Sequence, residues 1–289
     1  MLAGEMRLRR RLSYRLVKGL VSMERITIDD MKRIELDLLD EIDRVCRAHG
    51  ITYFIAYGTL LGAVRHGGFI PWDDDVDIAM LREDYERFMA GYAEWSGGDR
   101  FKLISYRDGE SIFPFAKLTD TTTLVYENFI EKTRSNGVWV DIFPLDYVDR
   151  SDKKAFKRVF DKRAFLGLVR NFIVTDPFTG SSGFVRLAKK IVCPFAKRLD
   201  PVKYARKIDE LAQFWRERPS GEVACIAGTE ERDIIYPLKA FEPIEMAFED
   251  RTYLAPAGYE DFLSVRYGDW RKLPPEDQRE IHTFEAYKL

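Results

Sequence analysis

Residues 57–80 read YGTLLGAVRHGGFIPWDDDVDIAM, and the reading of this stretch decides the fold expected of the chain. An apolar run at 51–56 enters it as a strand and meets a Gly-Thr turn at Gly58 and Thr59. The small residues of 60–64 can open a helix, after which Arg65, His66 and two glycines lead to Asp73, Asp74, Asp75 and Asp77, set beside Val76 and Ile78. Read as a strand start, the cluster sorts by the two-residue period. Asp73, Asp75 and Asp77 take one face, and Asp74, Val76 and Ile78 take the other. Carboxylates spaced about 6 to 7 Å along one face repel each other, and a hard divalent cation with oxygen ligands is the usual relief. A backbone free of side-chain bulk at Gly58, next to a helix start, can offer N–H groups to a phosphate. Together these features read as a metal-and-phosphate site. The plainer alternative is a solvated acidic turn after Pro71, which the apolar flanks Ile70, Trp72, Val76 and Ile78 argue against.

Working outward, 76–81 is a second strand delivering the acids, and 138–145, VWVDIFPL, is a buried strand with one charge in it, Asp141. A carboxylate in an apolar strand is costly unless it is paired, metal-bound or held by backbone donors at a strand end. Shorter β-like runs lie at 101–105, 113–118 and 122–126. Lys117, in the second of these, either reaches phosphates or snorkels to the surface. Asp146 and Asp149 read as strand-end and turn residues.

The stretch 53–88, YFIAYGTLLGAVRHGGFIPWDDDVDIAMLREDYERF, resembles the signature of the LicD family, the phosphocholine transferases of bacterial surface glycans, to which the fukutin-related ribitol-phosphate transferases are also similar. VDIFPLD at 140–146 resembles the family segment that supplies a third catalytic Asp, and Tyr267, Gly268, Asp269, Trp270 and His282 match the pattern of its closing region. The resemblance implies an α+β chain with a nucleotidyltransferase-like mixed sheet core and a helical C-terminal region. It places Gly58 and Thr59 in the phosphate turn, Asp75 and Asp77 as the metal-binding pair and Asp141 as the third acid, with Mg²⁺ or Mn²⁺ as cofactor. Arg65, His66 and Lys117 would supply positive charge, while Trp72 and His282 would contact substrate. Tyr267 and Trp270 either join an acceptor or choline pocket or simply hold a tail to the core.

The rest of the chain sets bounds. At 289 residues, 46% of them hydrophobic, it can bury a sizeable core. Its formal net charge of −2 carries no field that would draw nucleic acid. Cys46, Cys193 and Cys225, with His49, His66 and His282, form no zinc spacing and point to a reducing compartment. No long apolar run or signal-peptide core is visible, so the expectation is a cytoplasmic protein. The division reads as a basic amphipathic arm at 1–24, a catalytic core at 25–150 and a mainly helical region at 151–289. Within it, Thr27-x-x-Asp30 opens a helix that Gly50 can close, and further helices fall at 82–92, 153–173 and 202–218, with a short strand at 223–227. The arm and a second basic amphipathic segment at 184–199 suit peripheral contact with the inner membrane leaflet. Packed helices with a solvated basic face suit them equally.

The expected activity is metal-dependent transfer of phosphocholine from a CDP-linked donor to a hydroxyl of a glycan or lipid-linked glycan acceptor, in lipopolysaccharide, capsule or teichoic acid synthesis, with release of CMP. Three alternatives stay open: CDP-ribitol or CDP-glycerol as donor, an NTP-dependent nucleotidyltransferase releasing pyrophosphate, and a nucleotide-binding adaptor without catalysis.

Overall fold

The structure is a computed structural model that describes residues 24–127, 136–174, 193, 195–229, 231–276, 279 and 284–289. The N-terminal arm, the 175–183 loop, most of 184–199 and His282 lie outside the described residues.

Helix α1 (Ile28–His49) starts as its capping box predicts: the Thr27 hydroxyl accepts from the Asp30 amide, and Gly50 closes the helix at φ 60°. Its inner stripe Met31, Leu38, Leu39, Ile42 and Val45 is buried, and Glu35 is buried with it. Strand β1 is only Phe54–Ile55. The run expected at 51–56 is cut short because helix α2 (Tyr57–His66) begins at once, with Tyr57 itself at φ 46°. Gly58 and Thr59 therefore sit in the first turn of a helix rather than in a turn before it.

Strand β2 (Val76–Leu81), helix α3 (Arg82–Trp95) and strands β3 (Phe101–Ile104), β4 (Ala116–Asp120), β5 (Thr123–Glu127) and β6 (Trp139–Tyr147) follow. The main sheet is mixed, ordered β1-β2-β6-β4-β3. β2 and β6 run parallel at its centre, and β1 and β4 flank them antiparallel. Val76, Ile78, Val140 and Ile142, all fully buried, share the core face of these two central strands, and Asp77 and Asp141 alternate with them on the opposite face.

Helices α4 (Lys153–Val174) and α5 (Pro201–Ala212) come next, the latter ending in a single 3₁₀ turn, Gln213–Trp215, where the sequence suggested helix to 218. Beyond this the mainly helical expectation gives way to strand. β7 (Glu222–Ala224) pairs with the end of β6, and β8 (Tyr236–Pro237) pairs with β7. β9 (Pro243–Phe248) and β10 (Arg251–Pro256) form a hairpin, helix α6 is Tyr259–Tyr267, and β11 (Phe284–Lys288) pairs with β5. One hydrophobic core runs from Leu38 and Ile142 through Phe262, Trp270 and Ala286, so the C-terminal segments complete the same core. Burying Phe262 alone stabilises by about 2 to 3 kcal/mol.

Beside this core lies a buried ion cluster. Arg82, at the start of α3, donates two 2.7 Å hydrogen bonds to Asp146 of β6 and sits 2.8 Å from Asp209 of α5. Asp209 also accepts from the Tyr106 hydroxyl at 2.7 Å. Asp146 is thus a buried ion-pair partner rather than a simple strand end.

Candidate active site

The strand register builds the centre of the site. Asp77 of β2 lies opposite Asp141 of β6, and Asp141 lies opposite Lys117 of β4, so three adjacent strands present one row of acid, acid and base. Side chains in register on neighbouring strands share a face about 4.8 Å apart. The Lys117 ammonium is 3.1 Å from Asp141 and 2% exposed, packed over the Phe113 and Trp139 rings at 4.5 and 4.0 Å. It is therefore no snorkelling surface lysine; it neutralises Asp141 from within the sheet.

The alternation expected of the acidic run holds, although β2 starts only at Val76. Asp73, Asp75 and Asp77 line a cavity of about 790 Å³, while Asp74 is buried on the other side. Burial, followed by the charges of Asp75, Asp141 and Asp73, drives the Asp77 carboxyl well above its ordinary range, and Lys117 offsets this only in part. Behind the same segment, burial and then Asp75 and Asp74 push Glu35 up as well. Among the described residues no three acidic, histidine or cysteine side chains form a ready metal cluster. The donor chemistry of Asp75, Asp77 and Asp141 nonetheless fits a hard divalent cation, since all are carboxylates and their mutual repulsion is what a cation would relieve.

The α2 start forms a second wall. Tyr57 and Gly58 line the cavity, and a Cβ on Gly58 would fall 2.6 Å from the Asp73 carboxylate, so glycine leaves the backbone open there. Thr59 points elsewhere. It is buried, and its hydroxyl accepts from the Asp77 amide at 2.8 Å, which fixes the acid-bearing strand on the helix. The positive φ of Tyr57, unusual for a bulky residue, is the kind of strain found where a site is held in a fixed shape.

The C-terminal region adds a third wall with Tyr267 and Trp270. Together with Trp72, just before the acidic run, and Phe143 of β6 they give the cavity an aromatic lining, with Tyr57 facing Phe143 edge-on at 5.3 Å. Arg266 and Lys272 add positive charge. Arg65 lines the cavity too, but its guanidinium donates to the carbonyls of Trp270 at 3.0 Å and Lys272 at 3.3 Å, tying the closing loop to α2. Burial, then Arg65, lowers the pKa of His66, which accepts from Arg65 and packs edge-on against Trp72 outside the cavity lining.

Arg163, Arg266 and Lys272 had no sequence signal beyond their charge. Buried Arg163 of α4 donates to the Ile226 and Ala227 carbonyls at 2.7 and 3.0 Å, holding the turn that brings Cys225, Gly228 and Thr229 to the cavity. Arg163→Met leaves those carbonyls without these donors and is expected to cost about 2 to 4 kcal/mol. It should also raise substrate KM more than it lowers kcat, with Arg163→Lys restoring part of both. Thermal melts and steady-state kinetics check this; a melt equal to the wild type would refute it.

A mixed sheet that presents paired carboxylates beside a helix start is the arrangement of a nucleotidyltransferase-like enzyme. Residues 50–169 match the LicD/FKTN/FKRP nucleotidyltransferase domain. Over 283 residues it is 28% identical to the lipopolysaccharide cholinephosphotransferase LicD of Haemophilus influenzae, covering 92% of this chain and 100% of that protein. A 40-residue stretch is 52% identical to the human ribitol 5-phosphate transferase FKRP, covering 14% of this chain and 8% of that one. An uncharacterized protein of Rickettsia typhi is 37% identical over 86 residues, 29% of this chain and 26% of its own length. By their names the Haemophilus and human relatives transfer choline phosphate and ribitol 5-phosphate respectively.

Proposed function

We propose that the protein transfers phosphocholine from CDP-choline to a hydroxyl of a surface glycan or its lipid-linked precursor, with release of CMP. One observation carries this reading: the same cavity is lined by Asp73, Asp75 and Asp77 and by the aromatic rings of Trp72, Tyr267 and Trp270, with Asp141 reached through its register with Asp77 rather than as part of the lining. The acids beside the α2 start suit a diphosphate. The aromatic rings suit a quaternary ammonium, which is attracted to aromatic faces, and the Haemophilus relative is a cholinephosphotransferase by name.

Asp75, Asp77 and Asp141 would hold Mg²⁺ or Mn²⁺, which when bound supplies charge neutralisation at the donor phosphates and the departing CMP. Gly58 would place its amide toward a phosphate oxygen. Asp141, 3.1 Å from the Lys117 ammonium, would orient the acceptor hydroxyl and take its proton as the oxygen attacks the choline-side phosphorus. The bond from that phosphorus to CMP breaks, and CMP leaves with the electron pair. Tyr57, Trp72, Phe143, Tyr267 and Trp270 would enclose the choline and exclude water.

The FKRP similarity favours a polyol phosphate as the second reading of the donor. With a CDP-linked donor the reaction would run at the cytoplasmic side of the membrane. Among the described residues no helix is long and apolar enough to cross a bilayer.

The test is CMP release by the purified protein with CDP-choline, CDP-ribitol or CDP-glycerol, Mg²⁺ and a glycan acceptor, beside Asp75→Ala and an EDTA control. CMP from CDP-choline that disappears in both controls is the expected result. CMP from a polyol donor alone moves the donor assignment, and pyrophosphate from an NTP with no CMP overturns the transferase reading.

A further inference from the structure

Helix α4 is amphipathic in an unusual way. Its inner face, with Val159, Phe160 and Leu166, is buried. Its outer face also ends in apolar side chains, Phe165 and Leu168, which are 62% and 53% exposed. One to three turns earlier the same surface carries exposed Lys153, Lys154, Lys157, Arg158 and Lys162 against Asp152 and Asp161. Asp161 is already engaged by Lys157 and Arg232. At the far end of α4, Ala196 packs with Ile173 and Val174, which seats beside it a turn whose Phe195 and Leu199 are 67% and 43% exposed, next to Lys197 and Arg198. A net charge of −2 for the whole chain makes this a local concentration of cations around exposed apolar groups.

The geometry points to the outer face of α4 and the 195–199 turn as a docking surface for an anionic lipid bilayer. A protein partner is the weaker match, since protein interfaces are depleted in lysine. Interleaved Lys/Arg with Phe/Leu is what sits at the headgroup boundary of anionic membranes, where the cations meet lipid charge and the apolar tips enter the acyl edge.

The surface also adjoins the chemistry. Ile173 and Val174 pack on Ile112, Arg170 lies over Phe113 at 5.4 Å, and Lys117, the partner of Asp141, lies over the same ring at 4.5 Å. Docking here would hold a lipid-anchored acceptor close to Asp141, a consequence that rests on the proposed transfer reaction; the docking itself does not.

Flotation of the full chain with phosphatidylcholine vesicles, with and without phosphatidylglycerol, tests this at low and high salt. The wild type is expected to float with the anionic vesicles at low salt, to be released by high salt and to ignore pure phosphatidylcholine. Phe165→Asp with Leu168→Asp, and separately Lys154→Glu with Lys162→Glu, should each weaken binding about tenfold or more. Because all four side chains are exposed, melts and CMP release with a soluble acceptor should be unchanged. Wild-type protein that never floats overturns the proposal, and so does binding that persists in both variants, which would assign it to another segment. A dimer in sedimentation that the Asp variant dissociates, without vesicle binding, would assign the face to a second copy. Failure of CMP release in every protein would sink the transfer reaction and leave the flotation result standing.

Discussion

Asp77→Asn is expected to lower CMP release on the order of 10³-fold or more, because cation-assisted charge stabilisation of several kcal/mol is lost, while making the cation-free fold more stable. The stability half follows from crowding: Asp77 is buried beside Asp75, Asp141 and Asp73, and its carboxyl is held above its ordinary value near 3.8. As pH rises past that value the unfolded chain ionises this group first, so the native state loses stability until its own raised pKa is passed. Asparagine has no proton to lose. The melting temperature of the variant, measured in EDTA, should therefore pull ahead of the wild type as pH increases from about 4 upward. Mg²⁺ should raise the wild-type value and leave the variant almost unmoved. A variant less stable than the wild type throughout, or one that still releases CMP, would show that the acids are not organised around a cation. Aspartates kept at a cost to stability are the mark of a site built for ligand.

Arg82→Met should be the most damaging single change to the fold, at about 3 to 5 kcal/mol, the usual effect of removing one partner from a buried ion pair. Arg82 is 1% exposed, and Asp146 and Asp209 are as deeply buried. Burial alone would disfavour its charge, but Asp146 and Asp209 more than compensate. Without the guanidinium two carboxylates remain inside, and the melting temperature should fall on the order of 10 °C. Adding Asp146→Asn and Asp209→Asn should recover part of the loss, since the leftover charge is what costs most. Urea melts of the single and triple variants measure this, and a single variant within about 1 kcal/mol of the wild type would show that water reaches the cluster. Asp209 comes from α5 and Arg82 from α3, so the same variant should also loosen α5 from the catalytic sheet, visible as faster amide exchange across 201–212.

Some of this architecture is legible in local sequence because its cause is local. Thr27 and Gly50 bound α1 through capping chemistry that spans a few residues. The parity of Asp73, Asp75 and Asp77 follows from the strand period, which is why it holds even outside the assigned strand. The apolar run around Asp141 marks a central strand whatever its neighbours. Boundaries shift where a neighbour intervenes: the first strand stops at Ile55 because Tyr57 is held at positive φ to start α2, and strands enter the C-terminal region where β7 and β11 find edges on β6 and β5 and where β9 and β10 pair with each other.

Local sequence suffices for the set of acids, the face they share and the match of 50–169 to a nucleotidyltransferase domain. It took the tertiary structure to make Lys117 the partner of Asp141 rather than a surface residue, to set Thr59 bracing β2 instead of facing the cavity, to tie the closing loop down through Arg65, to hold the 226–227 turn on Arg163, and to bring Arg266 and Lys272 to the third wall. The physical reason is register. Row partners across β2, β6 and β4 lie from 24 to 64 residues apart in the chain, and hydrogen bonds between strands, not periodicity within one, choose which side chains meet.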